Sequence, residues 1–211
     1  MGGMKFFNPL ADIRFTANRL PHWQQKGAVY FVTFRLADSI PTALRDRWEE
    51  ERQKWLGFHP RPWSPEIETL YHKRFSAQME RWLDAGHGSC VLRNPEYAAV
   101  VDQAIRRFDG KRLSLIASVV MPNHVHAVLV QNGGYPVENL MRGWKSFSAR
   151  SINRSLRRTG ALWQRDYFDR MIRNQKHLDR CIHYIRSNPG KARLRPGEYV
   201  LFESETARQI D

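Results

Sequence analysis

The chain has 211 residues, of which 42% are hydrophobic, 34 are Lys or Arg and 21 are Asp or Glu, so its formal net charge is +13. This size and composition predict one domain with a sizeable core. The chain has no apolar run of membrane-spanning length, no signal-peptide core near its start and only two cysteines, which predicts a cytoplasmic protein without a membrane partner or a disulfide scaffold.

The positive charge is concentrated in one part of the sequence. Residues 142–195 contain 15 Lys or Arg and 3 Asp or Glu, whereas the rest of the chain contains 19 and 18. A one-sided positive field attracts a polyanion, and aromatic residues are interleaved with these charges. This region therefore predicts binding to nucleic acid, with a merely solvated basic face as the alternative.

The first half of the chain predicts one core strand followed by helices. Residues 29–36 are rich in β-branched and aromatic side chains, which is typical of a strand. Pro41 begins a predicted helix, and a second helix covers about 65–83. We expect the segment at about 41–84 to form a helical insertion after the first strand.

The second half predicts helices over about 95–108, 137–156 and 175–188, strands over 113–120 and 124–130, and a strand or hairpin edge within 162–172. The last helix should end or kink at Asn188, because Pro189 disfavours helical geometry in the residue before it. Without the insertion, the order is β–α–β–β–α–β. This order predicts that the whole chain is one α+β, ferredoxin-like sandwich with helices on one face of an antiparallel sheet.

Two histidines occupy alternate positions in the second of these strands. Side chains at i and i+2 point to the same face, so His124 and His126 can hold one divalent cation between two neutral imidazoles. Val128 stands at the next alternate position, where the histidine-triad nucleotide hydrolases have their nucleophile, so that chemistry is excluded. Two polar side chains on a half-exposed sheet face are the alternative interpretation.

A tyrosine and an asparagine stand four residues apart at the end of the last predicted helix, so Tyr184 and Asn188 share one helix face. A phenol titrates at about pH 10 and needs a nearby cation or base to attack at neutral pH. Bound Mg²⁺ or Mn²⁺, with the Asn188 carbonyl as a third ligand, would meet this need. The four residues predict cleavage of a phosphodiester by a tyrosine, with an ordinary helix tyrosine as the alternative.

Several segments in a fixed order resemble one protein family. In chain order they are GAVYFVTFRL (27–36), WLDAGHGSC (82–90), MPNHVH (121–126), WKSF (144–147), LWQRDYFDR (162–170) and YIRSNPGKA (184–192). The MPNHVH segment resembles the HUH motif, histidine–hydrophobic–histidine, of single-tyrosine transposases. The resemblance is closest to the REP-associated tyrosine transposases, which are relatives of the insertion-sequence-200-like enzymes.

The resemblance implies cleavage and rejoining of single-stranded DNA by transesterification. Tyr184 then corresponds to the nucleophile that becomes joined to the 5′ phosphate and leaves a free 3′ hydroxyl. His124 and His126 correspond to the metal ligands, and Asn188 stands where relatives often have glutamine. The implied substrate is a repeated extragenic palindrome folded as a hairpin with a short recognition sequence at its foot, and we expect the protein in the cytoplasm, associated with the nucleoid. The insertion-sequence relatives act as dimers whereas the REP-associated branch can act as monomers, so a monomer is favoured over a homodimer. After Leu194 the chain lacks the Trp-Pro-Trp-Ser-Ser-type segment of many relatives.

Basic side chains near the predicted site are candidates for contacts with the DNA backbone, namely Arg142, Lys145, Arg165, Arg170, Arg173, Arg186 and Lys191. Trp163 and Phe168 are either core residues or platforms on which a base stacks. Two other functions stay open. One is a domesticated regulator that binds DNA hairpins without cutting them. The other is RNA recognition, which the lack of a glycine–aromatic motif in the strands disfavours.

We expect the affinity for hairpin DNA to fall steeply with salt, because the basic region provides much of the attraction. The log–log slope should be roughly −0.7 per neutralised phosphate of a single strand, measured by filter binding over a salt series. A folded hairpin should also outcompete an unstructured strand of equal length, since equal charge leaves shape and exposed bases as the discriminators. Salt-insensitive binding, or equal competition by both strands, would contradict this prediction.

Overall fold

The computed structural model describes residues 4–17, 21–60, 63–132 and 134–210. Within these residues, β1 (Arg14–Ala17) and β2 (Pro21–Gln24) form a separate ribbon, and a five-stranded main sheet contains β3 (Val29–Arg35), β4 (Leu113–Val120), β5 (His124–Gln131), β6 (Phe168–Met171) and β7 (Val200–Glu203). The helices are α1 (Thr42–Phe58), α2 (Pro65–Tyr71), α3 (Ala77–Asp84), α4 (Pro95–Arg106), α5 (Val137–Ser155), α6 (Gln175–Lys191) and α7 (Glu205–Arg208), with a π-helical turn at His72–Ser76 and a 3₁₀ turn at Val91–Arg93. No helix in the described ranges is long and apolar enough to cross a membrane.

The main sheet is antiparallel, and its strand order is β6-β3-β5-β4-β7. Without β7, this is the strand order of a ferredoxin-like fold. The helices also match that fold, since α4 precedes β4 and α5 lies between β5 and β6 in the chain. β3 and β5 are the central pair, and their register runs from Val29 opposite Val130 to Arg35 opposite His124. The predicted α+β class and antiparallel sheet are therefore confirmed.

Helices cover both faces of this sheet, which corrects the prediction of helices on one face. Tyr30, Val32 and Phe34 of β3 share a core with residues of α4 and α5. Val29 and Phe31 point the other way and share a core with residues of α6. The physical reason is that β4 and β5 are buried along nearly their whole length, so neither of their faces can be left to water. The helix α6 therefore covers the face that α4 and α5 leave open.

This helix continues past Asn188, where the sequence predicts an end or a kink. α6 contains Pro189 within it, and proline removes one helical N–H donor. The amides that follow still bond, since Ala192 N–H donates to the Asn188 carbonyl at 3.0 Å and Leu194 N–H donates to the Pro189 carbonyl at 2.9 Å. The proline ring is buried, and its burial opposes the loss of one bond. Asn188 therefore keeps helical geometry one turn after Tyr184.

The chain between β3 and α4 forms a helical layer with a small core of its own. α1, α2, the π-helical turn and α3 occupy the segment predicted as an insertion, and Trp55, Tyr71 and Phe75 are buried together within it. The second predicted helix of this segment is in fact α2 and α3 joined by the π-helical turn. An ion pair ties the layer to the chain after β6, because both terminal nitrogens of Arg173 donate to the Glu68 carboxylate at 2.8 Å.

The C-terminal segment extends one edge of the sheet and contacts α6. β7 pairs with β4. Arg186 on α6 donates to the Glu203 carboxylate and to the main-chain carbonyls of Ala207 and Ile210, each at 2.9 Å. Sequence reasoning missed β1, β2 and β7, because each has only four residues. Alternation of apolar and polar residues is hard to recognise over so short a stretch.

Replacing Ile182 with alanine should destabilise the protein by about 2–5 kcal/mol, because the side chain is fully buried in the core that joins α6 to the sheet and its removal leaves a cavity. His183 is exposed on the same helix. His183→Ala should therefore change the free energy of unfolding by less than about 0.5 kcal/mol. Urea unfolding followed by circular dichroism measures both variants, and equal effects would contradict the described packing of α6.

Candidate active site

Strand pairing brings two histidines onto the sheet face that α6 covers. His124 and His126 on β5 stand opposite Arg35 and Thr33 on β3, and residues in register share a face. Both histidines are 1% exposed. Their ring centroids are 4.7 Å apart, and their planes are inclined at 76°. The two imidazoles are thus adjacent, on one face and shielded from water.

A hydrogen bond defines the tautomer of His124. Its Nδ1 atom lies 2.7 Å from Asn123 Oδ1, while the Asn123 amide nitrogen donates to the carbonyls of Leu83 and His87 at 3.1 and 3.3 Å. Because the amide nitrogen is engaged in this way, the amide oxygen faces the ring and Nδ1–H is the donor. Nε2 of His124 is then an acceptor, and it is buried without a hydrogen-bond partner among the described residues.

His126 connects the sheet to the tyrosine helix. Its Nδ1 atom lies 2.7 Å from Thr33 Oγ1, and its Nε2 atom lies 3.4 Å from the Tyr184 hydroxyl oxygen. The ring stacks on Phe31 with centroids 5.4 Å apart, and Phe31 also makes an edge contact with the Tyr184 ring. These contacts hold the imidazole and the phenol in one orientation relative to each other.

Asn188 lies one helical turn after Tyr184 on the same side of α6. It is 0% exposed, and neither its amide oxygen nor its amide nitrogen has a hydrogen-bond partner in the described part of the chain. A buried polar group without a partner costs about 1–3 kcal/mol. Lys191 lies nearby, with its ammonium nitrogen 4.9 Å from the centre of the Tyr184 ring.

Burial determines the protonation state of the two histidines. It lowers the pKa of His124 to about 3. It also lowers the pKa of His126 well below the usual value, and repulsion from His124 adds to this effect. Both imidazoles are therefore neutral near pH 7, the form in which histidine binds a metal ion.

The phenol is held in its protonated form. Burial is the largest cause that raises the pKa of Tyr184, and the Glu80 and Asp84 carboxylates raise it further. The Asn188 amide opposes the rise, although it does not meet hydrogen-bond geometry with the hydroxyl. Tyr184 therefore needs an additional positive charge nearby to become a phenolate near neutral pH.

The donor atoms at this site suit a hard divalent cation. His124 and His126 provide ring nitrogens and Asn188 provides an amide oxygen, a mixed set that fits Mn²⁺ or Mg²⁺ with positions left for phosphate oxygens. The fit is supported by the buried, unpartnered atoms of His124 and Asn188. No group of three His, Cys, Asp or Glu side chains that could hold a metal occurs within the described ranges, so an ion here would depend on the amide.

A cleft of about 760 Å³ lies between the helical insertion and the sheet face that carries the histidines. Phe31, Thr33 and His126 form part of one wall, and Trp48 and Tyr71 belong to the insertion on the other side. His126 is thus the point at which the buried site meets the cleft.

The seven basic residues predicted to contact DNA do not form one group. Arg170 lines the cleft, and Lys191 lies over the Tyr184 ring. Arg142 is exposed on α5, which packs on the opposite face of the sheet, and it pairs with Glu138 at 3.7 Å. The positive charge of this region is therefore divided between two sides of the sheet.

Three of the remaining basic side chains are bound within the protein. Arg173 pairs with the insertion, and Arg186 binds the C-terminal segment. The Lys145 ammonium donates to the carbonyls of Gln164 and Arg165, and burial lowers the pKa of this lysine to about 8. The Arg165 side chain itself is exposed. In this conformation the side-chain donors of Lys145, Arg173 and Arg186 are thus used in hydrogen bonds within the protein.

The two aromatic residues with open roles differ in their surroundings. Trp163 is buried in the core, and its indole N–H donates to Ser148 Oγ at 2.9 Å. Phe168 is half-buried and lines the cleft. Trp163 is thus a core residue, whereas Phe168 is placed where a bound ligand could touch it.

Sequence reasoning missed Thr33, Arg35 and Asn123. Thr33 and Arg35 face the histidines because of the register between β3 and β5, which no local sequence pattern reveals. Asn123 immediately precedes His124, so the MPNHVH segment did contain a signal for it. Its amide links the metal-ligand candidate to the end of the insertion.

The fold and the site together define a ferredoxin-like protein in which a buried histidine pair faces a helix tyrosine. Residues 93–188 match the family model described as Transposase IS200 like. This match confirms the predicted resemblance to insertion-sequence-200-like transposases over the region that carries the histidines, Tyr184 and Asn188, and it supports a transposase function. No curated protein sequence matches the chain.

Two solved structures are similar to this chain at low sequence identity. One is a REP-associated tyrosine transposase bound to a REP hairpin, with 18% identity, a TM-score of 0.45 and coverage of 83% of this chain and 74% of the other. The second is a candidate transposase from Deinococcus radiodurans, with 15% identity, a TM-score of 0.34 and coverage of 88% and 98%. Both TM-scores are below 0.5, so the fold description rests on the strand order of this chain itself.

Acid should destabilise the metal-free protein through the histidine pair. The pKa of His124 is about 3 in the folded state against an ordinary value of 6.5, so the unfolded chain takes up the proton first. The loss of stability begins as the pH falls below 6.5 and grows until the pH reaches the folded-state value. At about pH 5 the contribution of His124 should be about 2 kcal/mol.

The control for this prediction is His124→Gln, which removes the titrating group. Its free energy of unfolding should fall less between about pH 7 and pH 5 than that of the unaltered protein, measured by urea unfolding in the presence of a chelator. The relevant result is how steeply the free energy of unfolding falls with pH in each of the two proteins, because glutamine can also change the absolute stability. Identical slopes would contradict the assigned protonation state.

Proposed function

We propose that the protein is a metal-dependent, HUH-type tyrosine transposase that nicks and rejoins single-stranded DNA at repeated extragenic palindromic hairpins. The observation that carries this proposal is the Tyr184 hydroxyl 3.4 Å from Nε2 of His126, beside a second neutral imidazole whose Nε2 has no partner among the described residues. A phenol with a raised pKa in this position is a nucleophile that becomes active only when a cation is present.

In the proposed reaction the Tyr184 oxygen attacks the scissile phosphorus. The bond from this oxygen to phosphorus forms, and the bond from phosphorus to the 3′ oxygen breaks. The phenol proton passes to solvent, and the departing 3′ oxygen takes up a proton to become a hydroxyl. The 5′ phosphate stays esterified to the tyrosine, so attack by a 3′ hydroxyl in the reverse direction rejoins DNA without an energy source.

The surrounding residues hold the reacting groups in place. His124, His126 and Asn188 would hold Mg²⁺ or Mn²⁺, which when bound supplies positive charge that polarises the phosphate and favours the phenolate. Asn123 orients the His124 ring through its 2.7 Å contact, and Thr33 has the equivalent contact with His126. Burial keeps both imidazoles neutral and available as ligands.

Long-range attraction and local contact are separate roles in this proposal. The surplus of positive charge in residues 142–195 attracts the DNA strand. Arg170 and Lys191 are the predicted contacts that lie beside the cleft and the tyrosine. We propose that the whole chain acts as one domain of the REP-associated branch, as a monomer associated with the cytoplasmic nucleoid.

A hairpin-binding regulator without cleavage is the second candidate, since the overall positive charge would serve it equally well. The buried atoms favour the enzyme. A protein that only binds DNA has no need of an unpartnered imidazole nitrogen and an unpartnered amide in its interior, because both lower stability. The same atoms are useful if they bind a metal ion.

Tyr184→Phe should abolish covalent attachment to DNA and leave hairpin binding within about twofold, because it keeps the ring contacts with Phe31 and removes only the hydroxyl. The measurement is incubation with hairpin oligonucleotides and Mn²⁺, followed by denaturing electrophoresis for a protein–DNA band. Hairpins from palindromic repeats near the gene are suitable substrates.

Tyr199→Phe is the matched control, because Tyr199 is a half-buried tyrosine of the same core that makes no hydrogen bond or ring contact with either histidine within the described ranges. It should form the adduct at the normal rate. His126→Ala should lose the adduct and keep much of the DNA affinity, which phosphate contacts elsewhere supply. A persistent adduct in Tyr184→Phe would assign the nucleophile to another residue, and absence of an adduct in the unaltered protein would favour the regulator.

A further inference from the structure

In this conformation the candidate active site is closed to a large molecule. His124 and His126 are each 1% exposed, and Asn188 is 0% exposed. The Nε2 atom of His124 is itself buried, so no group of a large substrate can approach it. Some element of the structure must therefore move before such a substrate reaches these side chains.

The helix α6 is fixed to the sheet by an apolar core. Ile182 and Ile185 are fully buried and share this core with Val29 and Val128 of the sheet. Moving the helix away would expose the core to water, which is unfavourable in proportion to the apolar area exposed. We therefore do not expect α6 to open the site.

The helical insertion is packed in a different way. Trp55, Tyr71 and Phe75 form a core within the insertion, and no sheet residue belongs to that core among the residues that the structure describes. The cleft of about 760 Å³ separates much of the insertion from the sheet face that carries the histidines. The insertion can therefore move as a unit, because its own core stays intact when it does so.

The insertion is attached to the rest of the protein near both ends of β3. At the end where the insertion leaves this strand, the Asn123 amide nitrogen donates to the Leu83 carbonyl at 3.1 Å. At the other end, where β6 pairs with the first half of β3, Arg173 forms its ion pair with Glu68. A strand of seven residues is about 20 Å long. The insertion therefore bridges the sheet face between these two attachments.

The attachment beside Leu83 has the features of a hinge. Gly86 has a φ of 68°, and a Cβ atom at this position would meet no neighbouring atom within 4 Å. Gly88 has a φ of 85°, and a Cβ atom there would collide with the Asp38 carbonyl, so the two chain segments that enter and leave the insertion cross in close contact. The Ser89 N–H donates to the Asp38 carboxylate at 2.8 Å. The crossing point is thus held, and rotation about Gly86 is free of side-chain obstruction.

The attachment at Glu68 is easier to break. Both terminal nitrogens of Arg173 lie 2.8 Å from the carboxylate, but the Arg173 side chain is 53% exposed and that of Glu68 is 25% exposed. His72 lies beside this pair, and its Nε2 atom accepts from Arg170 at 3.4 Å. Ion pairs this exposed to water are weak and are screened by salt. We therefore expect the insertion to detach here while the hinge stays in place.

We propose that the helical insertion is a lid over the candidate active site, hinged at Gly86 and latched by the ion pair between Glu68 and Arg173. When the latch opens, the lid moves away from the sheet and exposes His124 and His126, while α6 stays packed. The use of the open state for DNA cleavage rests on the proposed function, whereas the opening itself does not depend on it.

The test measures how fast diethyl pyrocarbonate, which acylates neutral imidazoles, modifies each histidine in the absence of DNA and metal. Peptide mass spectrometry distinguishes His124 and His126 from His183, which is exposed and serves as the internal reference. In the unaltered protein the buried pair should react far more slowly than His183. Glu68→Gln keeps the shape of the side chain and removes its charge. It should increase the relative rate at His126 by about fivefold, the upper value for an exposed ion pair.

Glu51→Gln is the matched control, because Glu51 pairs with Arg47 within α1 and its replacement removes the same charge from the insertion without touching the latch. The relative rate at the histidines should not change. Arg173→Gln should act like Glu68→Gln, and the double variant should react no faster than either single variant, because all three lose the same ion pair. An unchanged rate in Glu68→Gln, an equal acceleration in Glu51→Gln, or multiplied effects in the double variant would overturn the proposal.

A second measurement uses the unaltered protein and does not depend on the folding of a variant. Raising the salt concentration from about 0.05 M to about 1 M should increase the relative rate at His126, because salt screens the exposed ion pair. Hydrogen exchange of the α6 amides should stay unchanged over the same series, since this helix remains on the sheet. A salt-independent rate, or loss of protection along α6, would overturn the proposal. Failure of the covalent adduct assay would contradict the proposed cleavage alone, because both measurements here are made without DNA.

Discussion

The burial of both faces of β5 is the constraint on which the rest of the site depends. The strand is central in the sheet, with β3 on one side and β4 on the other. Taking His124 and His126 out of water keeps their imidazoles neutral, and the same burial requires a helix to cover that face. That helix is α6, so the element that shields the histidines also carries Tyr184. The metal-ligand candidates and the candidate nucleophile are thus brought together by one packing requirement.

The helical insertion is coupled to this site at more than one point. Asn123 accepts from His124 and donates to the Leu83 carbonyl at the end of α3. The ion pair between Arg173 and Glu68 holds α2 against the chain that enters α6. A shift of the insertion would therefore disturb a histidine orientation and the cleft at the same time. We interpret the insertion as part of the site rather than as a separate addition to the fold.

The local charge at Tyr184, the proposed nucleophile, differs from the charge of the whole protein. The net charge of +13 favours long-range attraction of DNA. At the tyrosine, however, Glu80 and Asp84 raise the pKa and oppose the phenolate. A DNA strand that is held only by long-range attraction would thus meet a protonated, unreactive phenol. Under the proposed function, cleavage would require the cation and the correctly placed phosphate together, which would limit it to DNA strands that occupy the site.

Much of this protein follows from local patterns in the sequence. Periods of two and of about 3.6 residues predict the order β–α–β–β–α–β, and they place His124 beside His126 and Tyr184 beside Asn188. Those relations depend only on backbone geometry within one strand or one helix. The predicted group of basic DNA contacts depended on sequence proximity alone, and residues near in sequence lie on opposite faces of the sheet.

Only the tertiary structure decided which face each element meets. The position of α6 on the second face, the placement of Arg35 and Thr33 beside the histidines and the continuation of the helix through Pro189 all depend on contacts between distant segments. When both faces of a strand are apolar, the sequence of that strand does not indicate which helix packs on which face. Register and layer order minimise the exposed apolar surface of the whole chain, so they are properties of the packed molecule and not of any one segment.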